Sequence, residues 1–418
     1  MQMLLSHYGR ASTQPSPVNR MMSAFAGTFR DGVDINLGVG YVNERTIPVA
    51  ALEEALAAVA GDSVKFRQAF NYGGPEGSPN LIAALRNFVG QRAEGKRLVV
   101  GPCGATSVLD ALTEVVQPGI VVTSDPLYYI YSDTLERKGF EILAVPEDAD
   151  GIDLAALERK LAALGDRIDR LAFFYAVTVN NPSCTILSNA RRRELLDVAT
   201  RCSRQLNRPV PIFYDLAYDL LLHDPGHEPF VSVLPEDSLG IAYEVGSLSK
   251  VLAPALRIGY LLGPDGPFLD AMVQKTSDVG FSAPLFVQEM AAWLLERGIG
   301  KQLCTVNHAY RQKALAVGAG IREFLGPYVT ECRGGSAGFY FYLTFELIET
   351  HSQSRFFRVL TEESPRPRVV YIPGEYCVHA AGELAQLGMR QLRLSYGFEE
   401  TPRILEALSV MRNAADRM

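Results

Sequence analysis

The sequence predicts an α/β fold in which a largely parallel sheet is covered on both faces by helices, followed by a smaller α+β unit. Three observations carry this expectation. At 418 residues the chain exceeds what one hydrophobic core usually serves. Short apolar runs in its middle alternate with segments of helical periodicity, the pattern of buried parallel strands joined by crossover helices. Beyond about residue 300 that alternation stops.

Taken in order, Pro48 is placed to open a helix over Val49–Val59, and Gly61 to close it. Strand-like runs follow at Ile120–Thr123, Glu141–Val145, Leu171–Val177, Val210–Tyr214, Gly240–Val245 and Arg257–Leu262. Between them, helical periodicity marks Ala105–Val116, Leu127–Arg137, Asp153–Leu164 and Asn189–Leu206. Gln117-Pro118-Gly119 stops the first of these. A long helical stretch, Lys301–Phe324, then leads to an alternating strand Gly338–Phe345, a helix, short strands near Val369 and Leu392, and a final helix Pro402–Met411. The expected division is a large unit over 46–300 and a small one built from 1–45 and 301–418.

Composition excludes several classes. A net charge of −7 argues against nucleic-acid binding, which normally requires a basic face. No apolar run is long enough to span a bilayer, so no membrane partner is expected. The six cysteines show neither a CxxC pair nor the Cys/His spacing of a zinc site, so no metal is expected and reduced thiols in a cytoplasmic protein are. The first thirty residues lack Asp and Glu but carry His7, Arg10, Arg20 and Arg30. A transit peptide has that composition, and so does an arm lying on the body of the protein, since Pro15 and Pro17 interrupt any continuous amphipathic helix.

Ligands of open α/β sheets sit at the carboxyl ends of the strands, and the polar oddities of this chain cluster there. Lys250 comes after the Gly240–Val245 run in Gly246-Ser247-Leu248-Ser249-Lys250. A lone loop lysine is ordinarily a solvated charge. With Ser247, Ser249 and Arg257 nearby in sequence, the group suits a phosphate dianion, and a desolvated lysine is a nucleophile toward a carbonyl. Gly101-Pro102-Cys103-Gly104-Ala105-Thr106-Ser107 leads into a helix, where free N–H groups attract anions; its other reading is a glycine turn capped by Thr106 or Ser107. Asp215 ends its strand and either caps the next helix or, in a site for pyridoxal 5′-phosphate (PLP), pairs with the pyridine nitrogen. Tyr218 and Asn181 are placed to bond that ring's phenolic oxygen, and Tyr128 to stack on a flat ring. Arg393, between apolar strand residues, needs either a structural ion pair or a bound carboxylate.

These segments resemble, in order, the class I/II aminotransferases of PLP fold type I, over about Asn36 to Tyr396. Ser247-Leu248-Ser249-Lys250 with Ala255-Leu256-Arg257-Ile258-Gly259-Tyr260 is most similar to the kynurenine/α-aminoadipate aminotransferase branch, and Tyr72-Gly73-Gly74 and Asn180-Asn181-Pro182 point the same way. The resemblance implies a mostly parallel seven-stranded sheet, PLP as cofactor, an L-α-amino acid and a 2-oxo acid as substrates, and a homodimer with shared active sites. It makes Lys250 the Schiff-base lysine and proton shuttle, with Asp215 and Tyr218 as its catalytic partners and Asn181 beside Tyr218 on the phenolic oxygen. Gly104, Ala105, Thr106, Ser247, Ser249 and Arg257 form the phosphate site, Tyr128 stacks on the ring, and Tyr72 reaches the neighbouring subunit's phosphate. Arg393, helped by Gly40 and Asn181, clamps the substrate carboxylate.

Two departures stand out. The family usually continues Asn-Pro-Thr-Gly, whereas this chain has Asn181-Pro182-Ser183-Cys184, and its phosphate cup reads Gly104-Ala105-Thr106 without the usual hydroxyl or amide pair. They keep a PLP lyase or cyclase open as the alternative. The loop Ser277–Pro284 holds no arginine for a second substrate carboxylate, which favours a neutral or aromatic side chain, with Phe25, Tyr41 and Tyr129 as candidate pocket residues. Ser247-x-x-Lys250 also matches the SxxK motif of penicillin-binding enzymes, but Lys275-Thr276-Ser277 and Ser277-Asp278-Val279 fail as the companion motifs. A PLP-sensing regulatory domain is disfavoured, because no basic DNA-binding unit precedes residue 36.

Overall fold

The computed structural model describes residues 3–363 and 367–418. Its main sheet has the strand order Arg97–Val100, Gly259–Gly263, Ala242–Ser247, Ile212–Asp215, Leu171–Val177, Ile120–Asp125, Glu141–Asp148, Gly151–Ile152. The pairings from Ala242–Ser247 through Glu141–Asp148 are parallel, and Gly259–Gly263 runs antiparallel to both its neighbours. Seven strands are those implied by the resemblance; the eighth is a two-residue antiparallel edge, Gly151–Ile152, after a turn.

Burial explains the apolar runs. Every residue of Leu171–Val177 is buried because helices cover both faces of a central strand. On one face Leu81, Leu85, Leu195 and Met290 pack against Phe174 and Ile212; on the other, Leu109, Leu112, Leu135 and Met272 pack against Phe173 and Phe213. Each such side chain contributes roughly 1.5–3 kcal/mol when taken from water.

Helix starts reflect local chemistry. Asp153 caps Leu154–Ala163 by accepting from the Ala156 N–H, Ser188 caps Asn189–Gln205, and Ser78 caps Pro79–Val89 with proline at the first position. The helix opened after Pro48 runs Val49–Gly61, so Gly61 ends it from within, and Asp62 is the cap. Pro15 and Pro17 do prevent a continuous N-terminal helix, yet Pro17 itself starts one, Pro17–Ala26, capped by Ser16.

The long helix begins earlier than its periodicity suggests, at Leu285, because helical segments on either side of Gly298 join end to end; Gly298 is non-helical. The helix runs to Gly320 and packs under a four-stranded antiparallel sheet ordered Val329–Gly334, Tyr340–Phe345, Gln391–Ser395, Ile372–Pro373. A further core joins Tyr310, Val317, Phe339, Leu343, Leu394, Ile404 and Leu408 there. Ile35–Asn36 pairs with Val369–Val370 and ties the N-terminal segment to this unit. Among the described residues no helix is long and apolar enough to cross a membrane, no His/Cys/Asp/Glu cluster is suited to a metal, and all six cysteines are free.

Candidate active site

Parallel register brings the strand ends level, with Val177 beside Asp215 and Asp215 beside Val245. A cavity opens there, lined by Ala105, Thr106, Tyr128, Tyr175, Asn181, Asp215, Tyr218, Ser247, Ser249, Lys250 and Arg257 among others. These residues are far apart in the chain, and the sheet makes them neighbours.

The floor is electrostatic. Asp215 is 4% exposed, with Oδ2 accepting from the Tyr175 hydroxyl at 2.6 Å and Oδ1 from the Ala217 N–H at 2.9 Å. Burial pushes its carboxyl above the usual range, while both hydrogen bonds pull it back. Tyr175 is a site residue that sequence reasoning does not single out. Its signal is a hydroxyl inside a wholly apolar strand, where a polar atom must find a partner.

Opposite stands Lys250. Its Nζ donates to the Gly40 carbonyl at 3.0 Å and lies 5.5 Å from the ring centres of Tyr218 and Phe339. Burial, helped by the positive charges of Arg257 and Arg393, lowers its pKa to about 8. That leaves roughly a tenth of the amine neutral near pH 7, far more than an ordinary lysine, and able to act as a nucleophile.

At the third side, a helix starts at Gly104 and its first turn, Ala105 and Thr106, faces the cavity. Neither Thr106 nor Ser107 is the N-cap. Cys103 takes that position without a side-chain cap, and Ser107 instead accepts from the Cys103 N–H at 2.7 Å. The Gly104 N–H donates to the Arg257 carbonyl at 2.6 Å, which leaves the N–H groups of Ala105 and Thr106, beside the cavity, as the first-turn donors suited to an anion. Gly104 sits at φ +70°, and a Cβ there would come within 2.8 Å of the Arg257 guanidinium. Gly259 is tighter still: its Cβ would stand 2.2 Å from the Ala105 nitrogen. Arg257 Nη2 donates to the Cys103 carbonyl, holding the guanidinium across the helix start. Ser247 Oγ donates to the Ile258 carbonyl and accepts from the Ser249 N–H, so it is not bonded to Lys250 as an SxxK nucleophile would be.

Arg393 is 1% exposed and makes no ion pair with a carboxylate among the described residues, which removes the structural salt-bridge reading. Its Nη1 donates to Asn181 Oδ1 at 2.7 Å and its Nη2 to the Gly38 carbonyl, while Nε has no hydrogen-bond partner. Asn181 is thus engaged by Arg393, and the Tyr218 hydroxyl by that of Tyr340 at 2.8 Å.

Other expected residues lie elsewhere. Tyr72 is 84% exposed in a separate surface cleft with Phe281. Neither Phe25 nor Tyr41 lines the cavity: Phe25 is packed beneath Arg368 in the small unit's core, and Tyr41 is 63% exposed against Phe398. The Tyr129 ring lies 5.7 Å from the Arg393 guanidinium. The Ser183-Cys184 departure does not reach the cavity either: Ser183 donates to Glu147 at 2.7 Å, and Cys184 is buried at φ 53°.

One cavity therefore holds a nucleophilic amine, a buried carboxylate short of a cationic partner, and a cradle of helix N–H groups, two hydroxyls and a guanidinium. That donor set fits the aldehyde, ring nitrogen and phosphate of PLP. Among curated proteins, the chain is 26% identical to the 2-aminoadipate transaminase of Thermus thermophilus, covering 96% of this chain and 94% of that protein. It is 24% identical to aromatic-amino-acid aminotransferase 1 of Thermococcus litoralis, over 82% and 79% of the two chains. The fold superimposes on the multiple substrate aminotransferase of Thermococcus profundus with a TM-score of 0.84 at 22% identity, covering 99% and 98%. Residues 33–401 match the family described as "Aminotransferase class I and II", so the chain belongs to that PLP-dependent enzyme family.

Proposed function

We propose that the protein transfers the amino group of a neutral or aromatic L-α-amino acid to a 2-oxo acid, with Lys250 as the amine that bonds the cofactor. The observation that carries this is the shared cavity of Lys250, Asp215 and the helix start at Gly104, with Arg393 close by. When bound, PLP supplies an aldehyde that captures amines and an electron-poor ring that stabilises negative charge at the substrate Cα.

This chain's own residues do the rest. Asp215 keeps the ring nitrogen protonated, since a cation there offsets the desolvation of a buried carboxylate. Gly104, Ala105, Thr106, Ser247, Ser249 and Arg257 would hold the phosphate, and Tyr128 would stack on the ring. Tyr218 and Asn181 address the phenolic oxygen. Lys250 would carry the proton to and from the substrate Cα. Arg393, held by Asn181 Oδ1 and the Gly38 carbonyl, would fix the substrate carboxylate with its guanidinium N–H donors, assisted by Asn181 and the Gly40 backbone. Without a second cation in the Ser277–Pro284 loop, the side-chain pocket favours uncharged groups.

The exposed position of Tyr72 suits a contact with a second copy, and we propose a cytoplasmic homodimer with shared sites. The test is Lys250→Ala beside the parent. The parent, loaded with PLP, should absorb between about 330 and 430 nm and, after borohydride, carry a pyridoxyl tag on Lys250. The variant should show no turnover while retaining weak cofactor binding. Full activity in the variant rejects the reading.

A further inference from the structure

The geometry points to Tyr340 as the residue that positions both Tyr218 and Arg393, its hydroxyl holding the first and its ring face the second. This rests on the roles proposed above for those two residues. In the small sheet Tyr342 is paired with Arg393 and Tyr340 with Ser395. Directly opposed residues share a face, as do residues two apart on a strand, so Tyr340, Tyr342 and Arg393 project to the same side.

Tyr340 is fully buried there. Its Oη lies 2.8 Å from the Tyr218 hydroxyl, and its ring centre 4.3 Å from the Arg393 guanidinium. The same phenol explains why residue 40 is glycine: a Cβ on Gly40 would stand 2.6 Å from the Tyr340 hydroxyl. Gly40 in turn accepts from Lys250. One side chain therefore touches the segment that receives the lysine, the carboxylate clamp and the tyrosine beside the cofactor ring.

Either hydroxyl can donate across this contact, and the cavity decides which arrangement serves it. Burial pushes Tyr340 up to about 12 and Tyr218 well above its ordinary value, so both stay protonated and each has one proton to give. Tyr218 lines the cavity and Tyr340 stands behind it. When Tyr340 donates to Tyr218, the Tyr218 proton is left to point at the ring's phenolic oxygen. Without the Tyr340 hydroxyl, Tyr218 turns more freely and the cavity loses an aimed donor.

The experiment uses the full-length, PLP-loaded protein and tracks its absorbance between about 330 and 430 nm against pH. Tyr340→Phe keeps the ring and removes the hydroxyl, and should raise the apparent pKa of the chromophore by roughly half to one unit. Tyr218→Phe should raise it at least as much, and the double variant no further than Tyr218→Phe alone, since Tyr340 acts through Tyr218. Tyr340→Leu, which also removes the ring face, should raise KM for the amino donor by about tenfold, with kcat affected less. An unmoved Tyr340→Phe titration, additive shifts in the double variant, or an unchanged KM in Tyr340→Leu each overturn the inference. A parent protein without the chromophore would overturn the reading of Lys250 as well, so the two failures are distinct.

Discussion

Replacing Tyr175 by Phe removes a single hydroxyl from the strand Leu171–Val177 and leaves the packing of its ring in place. In the parent, the Asp215 carboxylate accepts two hydrogen bonds among the described residues, from Tyr175 at 2.6 Å and from the Ala217 N–H at 2.9 Å. A hydrogen bond to a charged acceptor contributes roughly 1.5–3 kcal/mol, which is about ten- to a hundredfold in the balance between the ionised and neutral carboxyl. Burial already favours the neutral form. Losing the Tyr175 donor pushes in the same direction, so the carboxyl of the variant ionises at higher pH than that of the parent. The ionised form is the one that keeps the ring nitrogen protonated. Activity therefore falls most on the acid side, and the acid limb of kcat/KM moves upward. We expect a loss of about tenfold or more near pH 6, shrinking to about threefold or less near pH 9. Steady-state kinetics with an aromatic L-amino acid and a 2-oxo acid across that range measures it, with circular dichroism confirming an intact fold. Parallel pH profiles, or no loss at all, would refute the claim that Tyr175 controls the charge on Asp215.

The remaining predictions concern the lysine and the phosphate cradle. Because Lys250 is lowered to about 8, PLP-free protein should recover its cofactor about ten times faster near pH 9 than near pH 7, as the neutral fraction of the amine grows; stopped-flow absorbance checks this, and a flat profile contradicts the lowered value. Gly259→Ala should weaken PLP binding sharply, since its Cβ would meet the Gly104 and Ala105 backbone at 2.2 Å and displace the start of the phosphate helix; a parental dissociation constant would show that the helix start does not hold the phosphate.

The alternation of buried strands and amphipathic helices, the glycine turn into a helix, and the Ser247–Arg257 segment were all legible in sequence, because each is a local signal of periodicity, turn chemistry or spacing over a few residues. The same locality explains the boundaries that differ: the helical stretch is read only from Lys301, beyond the break at Gly298, and the two-residue edge Gly151–Ile152 is too short to leave a pattern. What tertiary structure alone decided is who meets whom. Strand order, including the antiparallel Gly259–Gly263 between two mutually parallel neighbours, depends on pairing between segments far apart in the chain. So do the bonds from Tyr175 to Asp215, from Arg393 to Asn181 and from Tyr340 to Tyr218. A buried tyrosine or arginine announces in sequence that it needs a partner; which partner it finds is set by sheet register and by contacts between segments far apart in the chain.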